Sequence, residues 1–130
     1  MKEVNSEIMI FSVFQKDLSL ESNMANHKLA LEFLNKYSVP YLELQGKYNG
    51  SEELSILLND LGYRSTVEKL CAAYRQECYL EADDERNAKL VFADYTTASI
   101  GKLMCVSKDK AESKGSYSYN PVNNCYYIAE

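Results

Sequence analysis

The sequence predicts an α+β fold of the ferredoxin-like class, an antiparallel βαββαβ sheet with two helices on one face and extra C-terminal strands. Three observations predict it: an apolar run near the N-terminus, two segments with helical apolar spacing, and strand-forming segments between and after them. The chain has 130 residues, 46% hydrophobic and 25% charged, so we expect a single domain over residues 1–130 with a core of its own.

The first strand and helix are predicted between residues 8 and 37. Ile8–Phe14 (IMIFSVF) is a nearly continuous apolar run, typical of a central strand that is buried on both faces. The polar stretch KDLSLESN interrupts this pattern and offers Ser22 or Asn23 as the N-cap of a helix. Met24–Tyr37 then carries apolar residues at helical spacing with charged residues between them, which predicts an amphipathic helix.

The second and third strands are predicted on either side of a short connection. Residues 39–45 (VPYLELQ) contain a proline that ends the helix and then read as a strand. Gly46 and Gly50 bracket the connection, which carries Tyr48, and Glu53–Asn59 reads as the third strand.

The second helix and the fourth strand follow in the same way. Ser65-x-x-Glu68 matches a capping box at the start of a helix. Residues 77–82 (ECYLEA) alternate as a strand, and residues 88–95 (AKLVFADY) are expected to add an edge strand after the core. Of the last segments, residues 107–116 (SKDKAESKGS) predict a charged flexible loop, and residues 125–129 (CYYIA) a short strand.

Composition and charge exclude several functions. The net charge of −5 comes without a Lys/Arg cluster, which argues against binding to nucleic acid. The sequence shows no apolar export signal or membrane span, so we expect a cytoplasmic protein. With a single histidine, His27, and no C-x-x-C pair, a metal site is not expected, and a structural role is expected for His27. The four cysteines are expected to be reduced and packed: Cys71, Cys78, Cys105 and Cys125.

No standard catalytic motif is present, and three polar features remain as candidates. These are Tyr48 between the two glycines, Glu53 at the start of a strand, and the pair Gln76-Glu77 where the second helix leads into the fourth strand. Each of them taken alone is typical of a solvated turn or edge residue.

Four ordered segments resemble the phage S-adenosylmethionine (SAM) lyases, formerly called SAM hydrolases. They are SVFQKDLSLESNMANH with Asn23 and His27, LQGKYNG, Glu53-x-Ser55, and AAYRQECYL with the Gln76-Glu77 pair, and the resemblance runs from about Phe11 to Val91. It implies Glu53, Tyr48 and Gln76 as catalytic residues. It also implies a set of substrate-binding residues: Glu77, Gly46, Gly50, Ser55 and Asn23. The glycines would let the turn pass close to a ligand.

The resemblance also implies a reaction and an assembly. SAM would be cleaved to 5′-methylthioadenosine and L-homoserine lactone by attack of its own carboxylate on Cγ, with no cofactor and no metal. The active sites would lie between the subunits of a homotrimer, and a phage setting suggests depletion of SAM to blunt host methylation or restriction.

Three alternatives stay open. The first is hydrolysis of SAM to homoserine, with Glu53 as general base on a water. The second is a lyase acting on an adenylated SAM conjugate (SAM-AMP), whose extra phosphate could meet the charged residues 108–114. The third is a non-catalytic inhibitor or binding protein that uses a tyrosine-rich face.

Overall fold

The computed structural model describes residues 7–48 and 50–130, which form a closed antiparallel barrel and not the predicted open ferredoxin-like sheet. Its described strands are β1 Ile8–Phe11, β2 Leu42–Tyr48, β3 Ser51–Leu58, β4 Cys78–Ala82, β5 Asn87–Phe92, β6 Thr97–Val106, β7 Tyr117–Asn120 and β8 Cys125–Ala129. The described helices are α1 Leu20–Lys36, α2 Arg64–Ala73 and α3 Lys108–Lys114, with a 3-10 turn at Leu61–Tyr63 before α2.

The strand order explains why the fold-class prediction was wrong. Around the barrel the strands run β1-β3-β2-β7-β8-β6-β5-β4, and β4 returns to β1. The first four strands follow the predicted βαββαβ element order, and β1 lies between β3 and β4. The prediction placed the added strand at the edge of an open sheet, whereas β6 pairs with that strand, β5, and β7 pairs with β2. Strands from the C-terminal third therefore pair with both ends of this set and close the sheet.

Apolar residues of β1 and β3 pack on both faces of the sheet. Met9, Phe11 and Ile56 join the core that α1 and α2 cover on the outside of the barrel. Ile8 and Leu57 belong to a second cluster, formed by the alternate residues of the strands, inside the barrel. The prediction that the first strand is buried on both faces is thus confirmed, although β1 ends at Phe11 and not at Phe14.

The starts of both long helices differ from the predictions. Helix α1 begins one turn earlier than predicted, because the Ser19 hydroxyl accepts a hydrogen bond from Ser22 N at 3.1 Å and acts as the N-cap. Ser22 and Asn23 lie inside the helix. The predicted capping box is also wrong, since α2 begins at Arg64 without a side-chain cap and Ser65 lies within it.

The segment predicted as a flexible loop is largely helical. The Ser107 hydroxyl caps α3 by accepting a hydrogen bond from Lys110 N at 3.2 Å, and Gly115, with a φ of 80°, ends the helix. Strand β7 follows without having been predicted, and β8 confirms the predicted strand at residues 125–129.

Two of the four cysteines are paired, contrary to the prediction that all are reduced. Cys105 of β6 and Cys125 of β8 form a disulfide, which the neighbouring strands permit because their Cα atoms lie 5.4 Å apart. Cys71 and Cys78 are free. None of the helices in the described ranges has both the length and the apolar character needed to cross a bilayer.

Candidate active site

The residues that follow β1 form the point at which several predicted site residues meet. We call Ser12 to Gln15 the β1 exit segment. The Gln76 side-chain amide donates a hydrogen bond to Phe14 O at 2.7 Å. The Asn23 side chain accepts from Gln15 N at 2.8 Å and donates to Gln15 O at 2.9 Å. Residues from α1 and from the end of α2 therefore hold the same four residues of backbone.

Glu53 lies beside this segment, on the face of β3 that turns toward the barrel interior. It is opposite Gly46 in the β2–β3 register, and Ser55 of the same face is opposite Leu44, which is fully buried inside the barrel. Burial raises the pKa of the Glu53 carboxyl above its ordinary value, and the Ser12 hydroxyl offsets part of this increase. A half-buried carboxyl with a shifted pKa is typical of functional sites.

Gln76 and Glu77 lie where α2 ends and β4 begins. Together with Cys71, Cys78 and Tyr95 they line a cavity of about 110 Å³ between α2 and β5. The Glu77 side chain is exposed, whereas its carbonyl oxygen accepts a hydrogen bond from Ala93 N at 3.1 Å. The Gln76 amide is already engaged with backbone oxygens.

Tyr48 is the last residue of β2 and its side chain is 59% exposed. It lies opposite Ser51 across the hairpin, so the turn is shorter than predicted. Across residues 7–48 and 50–130, no hydrogen bond joins Tyr48, Glu53, Gln76 or Glu77 to one another. One chain thus places Glu53 and Gln76 around the β1 exit segment and leaves Tyr48 and Glu77 exposed to solvent.

The two glycines of the hairpin have different roles. Gly46 lies within β2, and a Cβ added there would overlap the carbonyl oxygen of Tyr117 on β7. In this chain the missing side chain admits the neighbouring strand β7, and the close approach of the turn to a ligand stays a prediction. Gly50 has a φ of 84° and open space around it, and its N–H donates to Gly115 O at 3.1 Å. Asn49, between Tyr48 and Gly50, lies outside the described residues.

Two further candidate residues, Asn23 and His27, are buried, and their side chains contact other residues of the chain. Asn23 is 6% exposed and uses its carbonyl and its amide on Gln15, so it shapes the loop after β1. His27, also buried, has its Nε2 3.1 Å from Glu43 Oε1, which fastens α1 to β2. Its Nδ1 has no hydrogen-bond partner in the part of the chain that the structure describes.

Sequence reasoning missed Ser12 and a buried charge cluster. The Arg64 guanidinium binds both oxygens of Glu81, at 2.6 and 3.1 Å, and the Tyr79 hydroxyl donates to Glu81 Oε2 at 3.1 Å. Burial alone would raise the pKa of Glu81, but Arg64 and Tyr79 lower it below its ordinary value. The sequence did contain a signal for each: the Y-x-E spacing in ECYLEA for the charge cluster, and the serine inside IMIFSVF for Ser12.

No group of three or more His, Cys, Asp or Glu side chains in the described ranges is arranged to hold a metal ion. A second cavity of about 340 Å³ opens at the other end of the barrel, where β1 begins and β3 ends. It contains none of the site residues predicted from the sequence. The candidate site is therefore the end of the barrel where β1 ends and β3 begins.

Comparison with known proteins adds one match. A family model described as the S-Adenosylmethionine lyase family matches residues 9–130. No curated protein matches the chain. The matched range includes the β1 exit segment and every candidate residue discussed above.

Proposed function

The chain belongs to the S-adenosylmethionine lyase family, and on that premise we propose that it cleaves SAM to 5′-methylthioadenosine and L-homoserine lactone. The observation that carries the proposal is Glu53, a half-buried carboxyl with a raised pKa at the end of the barrel where β1 ends and β3 begins. Its surroundings provide a partly dry site with one ionisable group suited to a cationic ligand.

The proposed reaction is intramolecular. The carboxylate of SAM attacks its own Cγ, the Cγ–sulfur bond breaks, and the sulfonium leaves as the neutral thioether of methylthioadenosine. Because nucleophile and electrophile belong to one molecule, the protein has to fold the methionine chain into the attack geometry. Such orientation contributes up to ~7–11 kcal/mol to lowering a barrier.

The polarity of the site favours this reaction. The negative carboxylate and the positive sulfonium neutralise each other as the bond forms, so water stabilises the reactant more than the transition state. The partial burial of Glu53 at this end of the barrel would reduce that stabilisation of the reactant. In our proposal Glu53 and Glu77 accept hydrogen bonds from the substrate ammonium and ribose hydroxyls, while Tyr48 and Gln76 orient the chain.

We further propose that the complete site needs more than one subunit. Tyr48 and Glu77 are exposed in the single chain, and among the described residues neither forms a hydrogen bond with Glu53. A homotrimer with sites at its interfaces, as the resemblance implies, would bring one chain's Tyr48 to another chain's Glu77.

The structure offers less support for an adenylated substrate. Residues 108–114, which could have met an extra phosphate, form α3, and Lys110 and Lys114 lie 3.5 and 3.9 Å from the Glu130 carboxylate. Their charges are thus partly balanced within the chain. We therefore favour SAM itself.

The test is a product analysis in ¹⁸O-labelled water. Purified protein incubated with SAM should release methylthioadenosine together with homoserine lactone, and the lactone as first formed should contain no solvent oxygen. Labelled homoserine formed without a preceding lactone would establish hydrolysis. Absence of methylthioadenosine with an intact, folded protein would favour the non-catalytic binding protein.

A further inference from the structure

The cavity of about 340 Å³ at the end of the barrel opposite the candidate active site has no part in the proposed reaction. We call it the far cavity. Its apolar wall comes from the start of β1, the end of β3 and the residues around the start of β2: Ile8, Leu57, Pro40 and Leu42. Small-molecule sites have volumes of roughly 300–1,000 Å³ and occur in the mouths of β-barrels. The far cavity can therefore take the apolar body of a small molecule.

Asn120, the last residue of β7, provides a buried polar group in the far cavity, since it is only 2% exposed. Its Oδ1 accepts a hydrogen bond from Val122 N at 3.0 Å. A backbone N–H only donates, so this bond fixes the orientation of the side-chain amide and leaves Nδ2 as the other end. In the described part of the chain, Asn120 Nδ2 has no hydrogen-bond partner.

This amide nitrogen is nevertheless not sealed off from solvent. Among the described residues, His27 Nδ1 is the only fully buried side-chain nitrogen or oxygen without a partner. Asn120 Nδ2, which also has none, therefore keeps some accessible surface, and the far cavity that Asn120 lines provides it. The cavity thus contains two N–H donors that the chain itself does not use.

Tyr127 of β8 supplies another donor by the same reasoning. Asn123 Oδ1 accepts a hydrogen bond from Cys125 N at 3.0 Å, which fixes the orientation of the Asn123 amide. Asn123 Nδ2 then donates to the Tyr127 hydroxyl oxygen, 3.4 Å away. The hydroxyl uses a lone pair in this bond, and its proton has no acceptor among the described residues. Both Asn123 and Tyr127 line the far cavity.

The charge of the cavity indicates the kind of ligand that these donors suit. Arg86, in the turn between β4 and β5, is the one charged residue among the described residues that line it. A single positive charge with neutral donors beside it suits a group that accepts hydrogen bonds and carries one negative charge. A carboxylate is such a group, whereas a phosphomonoester carries about −1.5 to −2 at neutral pH. SAM has a carboxylate, but its ammonium and sulfonium would find no anionic partner among the lining residues.

We propose that the far cavity is a second binding site, which takes a small monocarboxylate with an apolar body. The carboxylate accepts hydrogen bonds from Asn120 Nδ2 and the Tyr127 hydroxyl, close to the charge of Arg86, and the body packs against the apolar wall. The far cavity and the candidate active site lie at opposite ends of β1 and β3. This second site does not depend on the cleavage of SAM.

The first test is an NMR titration of the ¹⁵N-labelled parent protein with 3-phenylpropionate. The side-chain amide signals of Asn120, assigned from through-bond spectra, should shift and reach saturation. Two matched probes separate the parts of the ligand: 3-phenylpropanamide has the same shape without the charge, and acetate has the carboxylate without the body. Each should bind at least about tenfold more weakly than 3-phenylpropionate.

Three results of this titration would overturn the proposal. Absence of a saturable shift at millimolar 3-phenylpropionate would exclude the site. Equal affinity for the amide would contradict the anionic group, and equal affinity for acetate would contradict the apolar body.

The second test compares two asparagines of the same turn. Asn120→Asp keeps the oxygen that accepts from Val122 N and replaces the N–H donors, so 3-phenylpropionate should bind at least about tenfold more weakly. Asn124→Asp is the matched control: its oxygen accepts from the Tyr119 hydroxyl, and Asn124 does not line the far cavity. The control should keep the parental affinity.

Parental affinity in Asn120→Asp, or an equal loss in both variants, would contradict the role of the Asn120 amide. If Asn120→Asp fails to fold, the three probes on the parent protein still decide the proposal.

Discussion

At the scale of single residues, a substitution of Glu53 can separate the effect of the shape of the side chain from the effect of its charge. Glu53→Gln keeps the shape of the side chain and removes its charge, so in the proposed site it loses the contact with the substrate cation. A charge-assisted hydrogen bond of this kind contributes ~1.5–3 kcal/mol, and we expect turnover to fall by roughly 10- to 100-fold or more. The rate at which methylthioadenosine is released measures this turnover. Near-normal turnover of Glu53→Gln would contradict a role for Glu53 in binding the substrate cation, and Glu77 would be the next candidate for that role.

The same substitution has a stability effect with a defined sign. The pKa of Glu53 is higher in the folded than in the unfolded chain, so between the two values the folded state binds more protons. Its contribution to stability is present below the unfolded pKa and is lost as the pH rises through the folded pKa. Glu53→Gln cannot lose this contribution. The free energy of unfolding of the variant, measured in urea, should therefore rise relative to that of the parent as the pH increases, by about 1.4 kcal/mol per unit of pKa difference. A constant difference across the pH range would contradict the raised pKa.

At the scale of elements, the close approach of β2 and β7 depends on Gly46. Gly46→Ala places a methyl group against the carbonyl oxygen of Tyr117, which must move. We expect a loss of ~1–3 kcal/mol in the free energy of unfolding, as for other overpacked positions. Gly50→Asn is the comparison: nothing lies within 4 Å of its added Cβ, and asparagine adopts a positive φ at a lower cost than most residues, so we expect a smaller loss from backbone strain alone. Equal effects of the two substitutions would show that the β2–β7 contact is not the cause.

Helix α2 is joined to the barrel wall through Arg64 and the buried Glu81. Arg64→Met leaves Lys89, whose Nζ lies 4.0 Å from Glu81 Oε1, as the remaining cation beside the Glu81 carboxylate. Because the Arg64 side chain is 49% exposed, we expect a moderate loss of ~1–3 kcal/mol. The pKa of Glu81 is lowered, so its contribution is present above the unfolded pKa and is lost as the pH falls through the folded pKa. Thermal unfolding at neutral and acidic pH should therefore show the gap between variant and parent narrowing in acid. Adding Glu81→Gln to the variant should recover part of the loss.

The sequence predicted elements better than their assembly, for physical reasons visible in particular residues. The run IMIF predicts two-sided burial because both sets of alternating side chains are apolar. No local pattern specifies that β7 will lie beside β2, since that pairing joins residues about 70 positions apart in the chain. The candidate site residues were assigned their roles through the resemblance, whereas Ser12 contacts Leu54 and Phe14 in a way that only the folded chain creates.

At the scale of the whole molecule, the proposed shared site can be tested by mixing subunits. Tyr48→Phe and Glu77→Gln both alter exposed side chains, whereas Gln76 is less suitable because its amide also holds Phe14 O. Each variant alone should be impaired. If a site takes Tyr48 and Glu77 from different chains, unfolding and refolding the two together should restore part of the activity. No recovery in mixed trimers that light scattering verifies would place the site within one chain.

The closed barrel also limits how copies of the chain can associate. Each described strand has a hydrogen-bonded neighbour on both sides over at least part of its length, so no described strand leaves a whole edge open to a second chain. In the proposed trimer we therefore expect the contacts to be made mainly by side chains and loops, without a continuous intersubunit sheet. The same closure protects the native protein against growing into cross-β fibrils, a hazard that returns only when a strand such as β7 detaches from the barrel.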